Sequence, residues 1–221
     1  MKALGVVGSP RKEGNTSALI HKTIEGFEKR HKKIAETASY AEAARIIHLA
    51  DYDYQGCYGC EACKEDFKCV IDDDMQKIYP LIWEAEVLIL GSPAYFYNIT
   101  PELKAMIDRC YCWEVFSEKD RSVWMGLNEL REAKIAGVIA VSEQLETEGM
   151  GFTMKAMKKP LQSLGYNVKM EVEARGYHQK GEVKEDEEMM IAAEKAGKKL
   201  AEALELKRKA SEKLKSQNQR G

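Results

Sequence analysis

Residues 3–17 read Ala-Leu-Gly-Val-Val-Gly-Ser-Pro-Arg-Lys-Glu-Gly-Asn-Thr-Ser. The first five residues are a short apolar run of the kind a buried strand needs. Residues 8–15 are rich in Gly, Ser and Pro, and from Thr16 onward Leu19, Ile20, Ile24 and Phe27 recur at helical spacing. A strand feeding a helix through such a loop is the opening unit of an α/β protein. The start of that helix offers free N–H groups and a positive partial charge, the features an anion requires. The hydroxyls of Ser9, Thr16 and Ser17 and the amide of Asn15 add donors, and Arg11 adds a full charge. No Gly-Lys-Ser/Thr ends the loop, and no Gly-x-Gly-x-x-Gly is present. A terminal monophosphate therefore suits it better than a pyrophosphate or triphosphate. The competing reading is an ordinary capped turn that binds nothing.

Further strands are expected at residues 45–49, 87–90, 135–141 and 168–172. The last alternates with charge, as a sheet edge does. Helical patterns separate these strands. Asp72, Asp73 and Asp74 offer an N-cap to one helix, and Thr100-Pro101 an N-cap and first position to the next. Pro80 and Pro160 predict a kink or restart in their helices. The alanine-rich stretch after His31 either continues the first helix or forms another, and residues 114–132 read as an irregular charged insertion. Residues 186–216 read as one long helix, acidic at its start and basic at its end, with a packing stripe at Met189, Ala193, Ala196, Leu200 and Ala203. After Leu206 the stripe fades, leaving a solvated end or one that covers a partner. Five strands alternating with helices predict a doubly wound parallel sheet within one domain over residues 1–221, with ligands at the carboxyl ends of the strands.

The chain has 221 residues, and its 34 Lys+Arg nearly cancel its 36 Asp+Glu. That balance supplies no field for nucleic acid or anionic lipid. The apolar run after Lys2 is too short for a signal-peptide core, and no stretch reaches membrane-spanning length, so a cytoplasmic protein is expected. Six cysteines in such a chain are not a disulfide framework. The four histidines stand in no catalytic sequence context and are expected to have surface or packing roles.

Residues 91–104, Gly-Ser-Pro-Ala-Tyr-Phe-Tyr-Asn-Ile-Thr-Pro-Glu-Leu-Lys, form a second informative loop. Tyr95, Phe96 and Tyr97 offer flat apolar surfaces for stacking. Pro93, Ala94 and Asn98 add backbone and amide groups that can meet a polar ring edge. Three adjacent aromatics point in different directions, so at least one is expected to face a ligand, a partner or water. Together with Ile107-Asp108-Arg109, this loop and the one at residues 8–17 resemble the isoalloxazine and phosphate segments of NADPH-dependent FMN reductases, which share the flavodoxin-like fold. The resemblance implies FMN held by Ser9, Arg11, Asn15, Thr16 and Ser17 at the phosphate and by residues 93–98 at the ring. The segment after the fourth strand departs from the family's glycine pattern, and only Ser142 is carried over.

Cys57-x-x-Cys60-x-x-Cys63-x5-Cys69 places four thiols within thirteen residues of an inserted loop, residues 53–71. Zinc sites usually pair two separate Cys-x-x-Cys hairpins. Consecutive Cys-x-x-Cys-x-x-Cys is typical of a ferredoxin-like [4Fe–4S] loop, and here one loop could supply all four ligands. Gly56 and Gly59 would let the backbone curl inward. Zinc and cluster-free thiols remain alternatives. The spacing resembles the iron–sulfur flavoprotein branch of the same family. That resemblance implies a [4Fe–4S] cluster on Cys57, Cys60, Cys63 and Cys69 that exchanges electrons with FMN. It also implies a homodimer or homotetramer in which cluster and flavin meet across subunits, and a redox partner such as ferredoxin or NAD(P)H. Cys110 and Cys112 are expected to be structural. Two rival readings stand: a cluster-free NAD(P)H-dependent FMN or quinone reductase, and a non-enzymatic redox or metal sensor.

Overall fold

A computed structural model describes residues 1–34 and 43–218. In chain order the elements are β1 (Ala3–Val7), α1 (Asn15–Ile34), β2 (Ala44–His48), α2 (Met75–Glu84), β3 (Val87–Pro93) and α3 (Pro101–Arg109). A short hairpin, β4 (Glu114–Phe116) and β5 (Trp124–Gly126), leads into α4 (Leu127–Arg131). The chain then forms β6 (Lys134–Ser142), α5 (Thr153–Ser163), β7 (Tyr166–Arg175) and α6 (Glu187–Asn218). The main sheet has five parallel strands in the order β2-β1-β3-β6-β7. Solved structures described below share this flavodoxin-like arrangement.

Alternation along the strands explains the two-sided winding, because successive side chains leave a strand on opposite faces. Leu4, Val6, Leu88 and Leu90 join one buried cluster with Met75, Ile78 and Ile82 of α2 and Leu103 and Met106 of α3. Val7, Val87 and Ile89 join the other, with Leu19, Ile20 and Phe27 of α1 and Ala193, Leu200 and Leu204 of α6. Each fully buried Leu, Ile or Phe contributes roughly 1.5–3 kcal/mol. Of the expected α6 stripe, Ala193, Ala196 and Leu200 are buried and Met189 and Ala203 half-buried; Ala201 and Leu204 complete it. No helix among the described residues is long and apolar enough to cross a membrane.

Several local expectations are corrected. Residues 114–132 are not irregular: β4 and β5 pair antiparallel, Val115 opposite Met125, and α4 follows. Three-residue strands around a charged turn leave too short a pattern to read. Asp74 holds the N-cap position of α2 without capping it; its Oδ2 accepts from Asp53 N at 2.9 Å, and Asp73 Oδ1 accepts from Met75 N at 3.0 Å. Pro80 and Pro160 lie inside helices that run on through them, so neither proline restarts its helix. Proline removes one N–H donor, and the burial of Met75, Ile78 and Ile82 in α2, and of Met157 and Leu161 in α5, offsets that loss. Most of the alanine-rich stretch, residues 35–42, lies outside the described residues, as does the tail at 219–221.

Candidate functional site

The strand order reverses direction between β1 and β3, where a doubly wound sheet opens a crevice. The two loops singled out in the sequence meet there. Gly8 N donates to Gly91 O at 2.8 Å. Thr100 Oγ1 donates to Gly8 O at 2.6 Å and accepts from Leu103 N at 3.4 Å, so the N-cap of α3 also ties down the first loop. Ser92 Oγ accepts from Thr100 N at 3.1 Å and donates to Pro93 O at 2.8 Å.

Above these contacts lies a cleft of about 510 Å³, within the range of small-molecule sites. Ser9, Arg11, Asn15 and Thr16 line one side, and Pro93, Ala94, Tyr95 and Phe96 another. Ser142 and its neighbours Val141 and Glu143 close a third. Ser9 is buried; its Oγ accepts from Arg11 N at 3.2 Å, which leaves the hydroxyl hydrogen for a ligand. The first-turn N–H groups of α1 have no acceptor within the helix. Ser142 Oγ is committed to Gln144 O at 3.0 Å.

Three expected residues stand apart from the cleft wall. Ser17 lines a different hollow, beside Lys12 and His21. Tyr97 and Asn98 do not line the cleft, and Asn98 Oδ1 accepts from Ile99 N at 2.9 Å. Asn15 lines it, but its amide is spent: Nδ2 donates to Gln179 O at 2.9 Å and to Tyr177 O at 3.4 Å, and Oδ1 accepts from Val183 N at 3.1 Å. It brackets a wall that the sequence did not announce, in which Tyr177, His178 and Lys180 of the β7–α6 connection face the cleft. Arg11 Nη1 donates to His178 O at 3.3 Å, and His178 Nδ1 lies 3.1 Å from Glu143 Oε2. The available signal was Gly176 and Gly181, both in the left-handed region at φ +84° and +78°, bracketing the segment.

The second loop turns sharply at its aromatic tip. Tyr95 N donates to Asn98 O at 2.7 Å and Asn98 N returns to Tyr95 O at 3.1 Å. The two residues between them are left-handed, Phe96 at φ +45° and Tyr97 at φ +68°, as a type I′ turn demands. Neither is glycine or asparagine, and such a backbone costs a non-glycine residue roughly 1–2 kcal/mol. Phe96 is 95% exposed, so little burial offsets the strain. Phe96→Gly is expected to raise the stability of the flavin-free protein by about 1 kcal/mol, seen as a higher urea midpoint. A lower midpoint would mean that the ring packs despite its exposure.

The cysteine segment leaves the body at Asp53 and returns at Asp74. Asp74 N donates to Asp53 O at 3.1 Å, complementing the side-chain bond already described. Gly59 is left-handed at φ +66°, as are Glu61 at +58° and Phe67 at +60°; Gly56 is not among the left-handed positions. The β4–β5 hairpin braces the segment. Lys64 Nζ donates to Tyr111 O at 2.6 Å and Glu114 O at 3.0 Å and lies 3.5 Å from the Tyr111 ring centroid. Arg121 pairs with Glu61. Cys57 and Cys60 are exposed, Cys69 is intermediate and Cys63 is buried; Gly59 N donates to Cys57 Sγ at 3.4 Å. Burial pushes the Cys63 thiol up, against the opposing pull of Lys64. Cys110 and Cys112 are buried as expected; burial holds the former well above its ordinary value and pushes the latter up to about 12. Among the described residues, no three His, Cys, Asp or Glu side chains converge into a group that could hold a metal ion. The four thiols share one loop at different depths: Cys63 is drawn into the core while Cys57 and Cys60 stay at the surface.

The profile of the family described as NADPH-dependent FMN reductase matches residues 1–167. An iron–sulfur flavoprotein of Methanocaldococcus jannaschii is 41% identical over 109 residues, 49% of this chain and 51% of that protein. An iron–sulfur flavoprotein of Archaeoglobus fulgidus is 34% identical over 139 residues, 63% of this chain and 58% of that protein. The chain spans about half the length of the curated relatives it matches. In fold it is similar to a flavone reductase (TM-score 0.65, 14% identity, 93% of this chain and 63% of that one). It is also similar to an FMN-dependent NADH-azoreductase of Bacillus anthracis in complex with FMN (TM-score 0.56, 19% identity, 92% and 98%).

Proposed function

We propose that this chain, which belongs to the NADPH-dependent FMN reductase family, is a cytoplasmic FMN-dependent oxidoreductase whose cysteine loop carries a [4Fe–4S] cluster. The observation that carries the flavin half is the cleft at the strand-order reversal, where the α1 N-terminus, buried Ser9 and Arg11 stand at one end and Tyr95 at the other. The first-turn amides of α1, the Ser9 and Thr16 hydroxyls and the Arg11 guanidinium would hold the phosphate. Pro93, Ala94, Tyr95 and Phe96 would position the ring, with Val141 and Ser142 beside them at the end of the neighbouring strand. Asn15 serves by fixing the far wall.

For the cluster, the donor set fits: four thiols on one segment closed at its base, with a backbone N–H already directed at Cys57 Sγ. Cys57, Cys60, Cys63 and Cys69 would be the ligands, and the iron–sulfur flavoproteins among the relatives support this. When bound, the cluster supplies one-electron transfer and FMN one- or two-electron chemistry. A homodimer or homotetramer and a donor such as ferredoxin or NAD(P)H complete the reading.

A second reading, a cluster-free NAD(P)H-dependent FMN or quinone reductase, is favoured by the lack of convergence among the thiols of the described residues. Analysis of protein purified without oxygen separates the two. One FMN with about four irons and four sulfides per chain is expected, and Cys60→Ser should lose the iron and keep the flavin. FMN without iron in protein kept reduced throughout would select the second reading.

A further inference from the structure

Arg109 ends α3, and its side chain is fully buried. Its Nη1 donates to Asp73 Oδ2 at 2.6 Å and to Gln55 O at 2.9 Å; its Nη2 donates to Asp73 Oδ1 at 3.0 Å and to Ile71 O at 3.4 Å. Asp73 in turn accepts from Gln55 N at 3.1 Å. Gln55 lies two residues before Cys57 and Ile71 two residues after Cys69. One guanidinium therefore grips both ends of the cysteine segment. A buried cation is costly unless paired, and a planar fork is needed to meet a carboxylate and two carbonyls together. Packing alone would have been served by an apolar side chain. The same helix is anchored at its other end to the cleft, through Thr100, and Tyr54 OH donates to Glu102 O at 2.8 Å.

We propose that Arg109 is a positioning residue for the cysteine loop: it fixes the two ends of residues 55–73 to α3 and so presents Cys63 and Cys69 to the metal centre. The metal centre rests on the function proposed above; the grip on the loop does not. The test uses Arg109→Lys, which keeps the charge without the fork, and Asp73→Asn, which weakens the grip from the other side. Three quantities are read on the full chain: FMN per chain, alkylation rates of Cys63 and Cys69 by N-ethylmaleimide in reduced iron-free protein, and iron retained after anaerobic reconstitution. Both variants are expected to keep FMN, to alkylate about tenfold faster at the two thiols, and to retain less than half the iron of the unmodified chain. Unchanged alkylation rates in both variants overturn the proposal, whatever the iron content. Loss of FMN together with faster alkylation overturns it as well, since the residue would then support the whole fold. Faster alkylation with FMN kept, in a chain that takes up no iron even unmodified, upholds the grip and removes the cluster reading instead.

Discussion

Gly197→Ala is expected to destabilise the protein by about 3 kcal/mol, the upper part of the range for overpacking. The crossing of α1 and α6 is built on two facing glycines. A Cβ on Gly197 would stand 1.8 Å from Thr23 O and 2.7 Å from Phe27 N, and one on Gly26 would stand 2.1 Å from Glu194 O. Each obstacle is backbone, so no rotamer change relieves it. The helices must separate, and separation loosens Phe27, Leu200 and Leu204, which are buried along this face. A loss of this size lowers the melting midpoint by roughly 6–12 °C in a chain of this length. The double variant Gly26→Ala/Gly197→Ala should fall short of additivity, because helices already parted pay less for the second methyl. Urea unfolding of all three variants tests this, and a Gly197→Ala chain within 0.5 kcal/mol of the parent would show that the helices slide apart without loss.

Ser9→Asp should weaken FMN binding about 100-fold or more while leaving riboflavin binding within a few-fold of the parent. Ser9 is buried at the end of the cleft where the α1 amides open. A carboxylate there would compete for the same donors and repel a phosphate dianion. At an effective dielectric of about 20, two unit charges roughly 5 Å apart interact by about 3 kcal/mol. Riboflavin lacks the phosphate and escapes that penalty. Quenching of flavin fluorescence gives both affinities. Equal weakening of the two flavins would place the phosphate somewhere other than the start of α1.

What could be read from the sequence follows from the range over which each signal acts. The unbroken apolar run at residues 3–7 gives β1 as a buried strand, and Thr100-Pro101 marks the start of α3 correctly, because short apolar runs and helix caps are local signals. The two cleft loops were legible for the same reason. Asn15 was not: its composition says amide donor, and only the return of the chain at Tyr177 and Gln179 consumes those donors. The wall around His178 was hidden because its place depends on that return, and the histidine read only as a surface or packing residue. The left-handed backbone at Phe96 and Tyr97 runs against residue preference, so no propensity argument reaches it. Gly26 and Gly197 drew no reading from the sequence, because their purpose exists only where the helices cross.

The joined ends of the cysteine segment carry a consequence for how such a chain can vary. Because Asp53 and Asp74 are hydrogen-bonded to each other, everything between them enters and leaves the α/β body through a single doorway. The sheet keeps its register whether that detour is long or short, since closing a loop of a different length changes the free energy only slowly. The thiol-bearing stretch is therefore a cassette, open to being lengthened, emptied of cysteines or transplanted while the flavin cleft behind it keeps its shape.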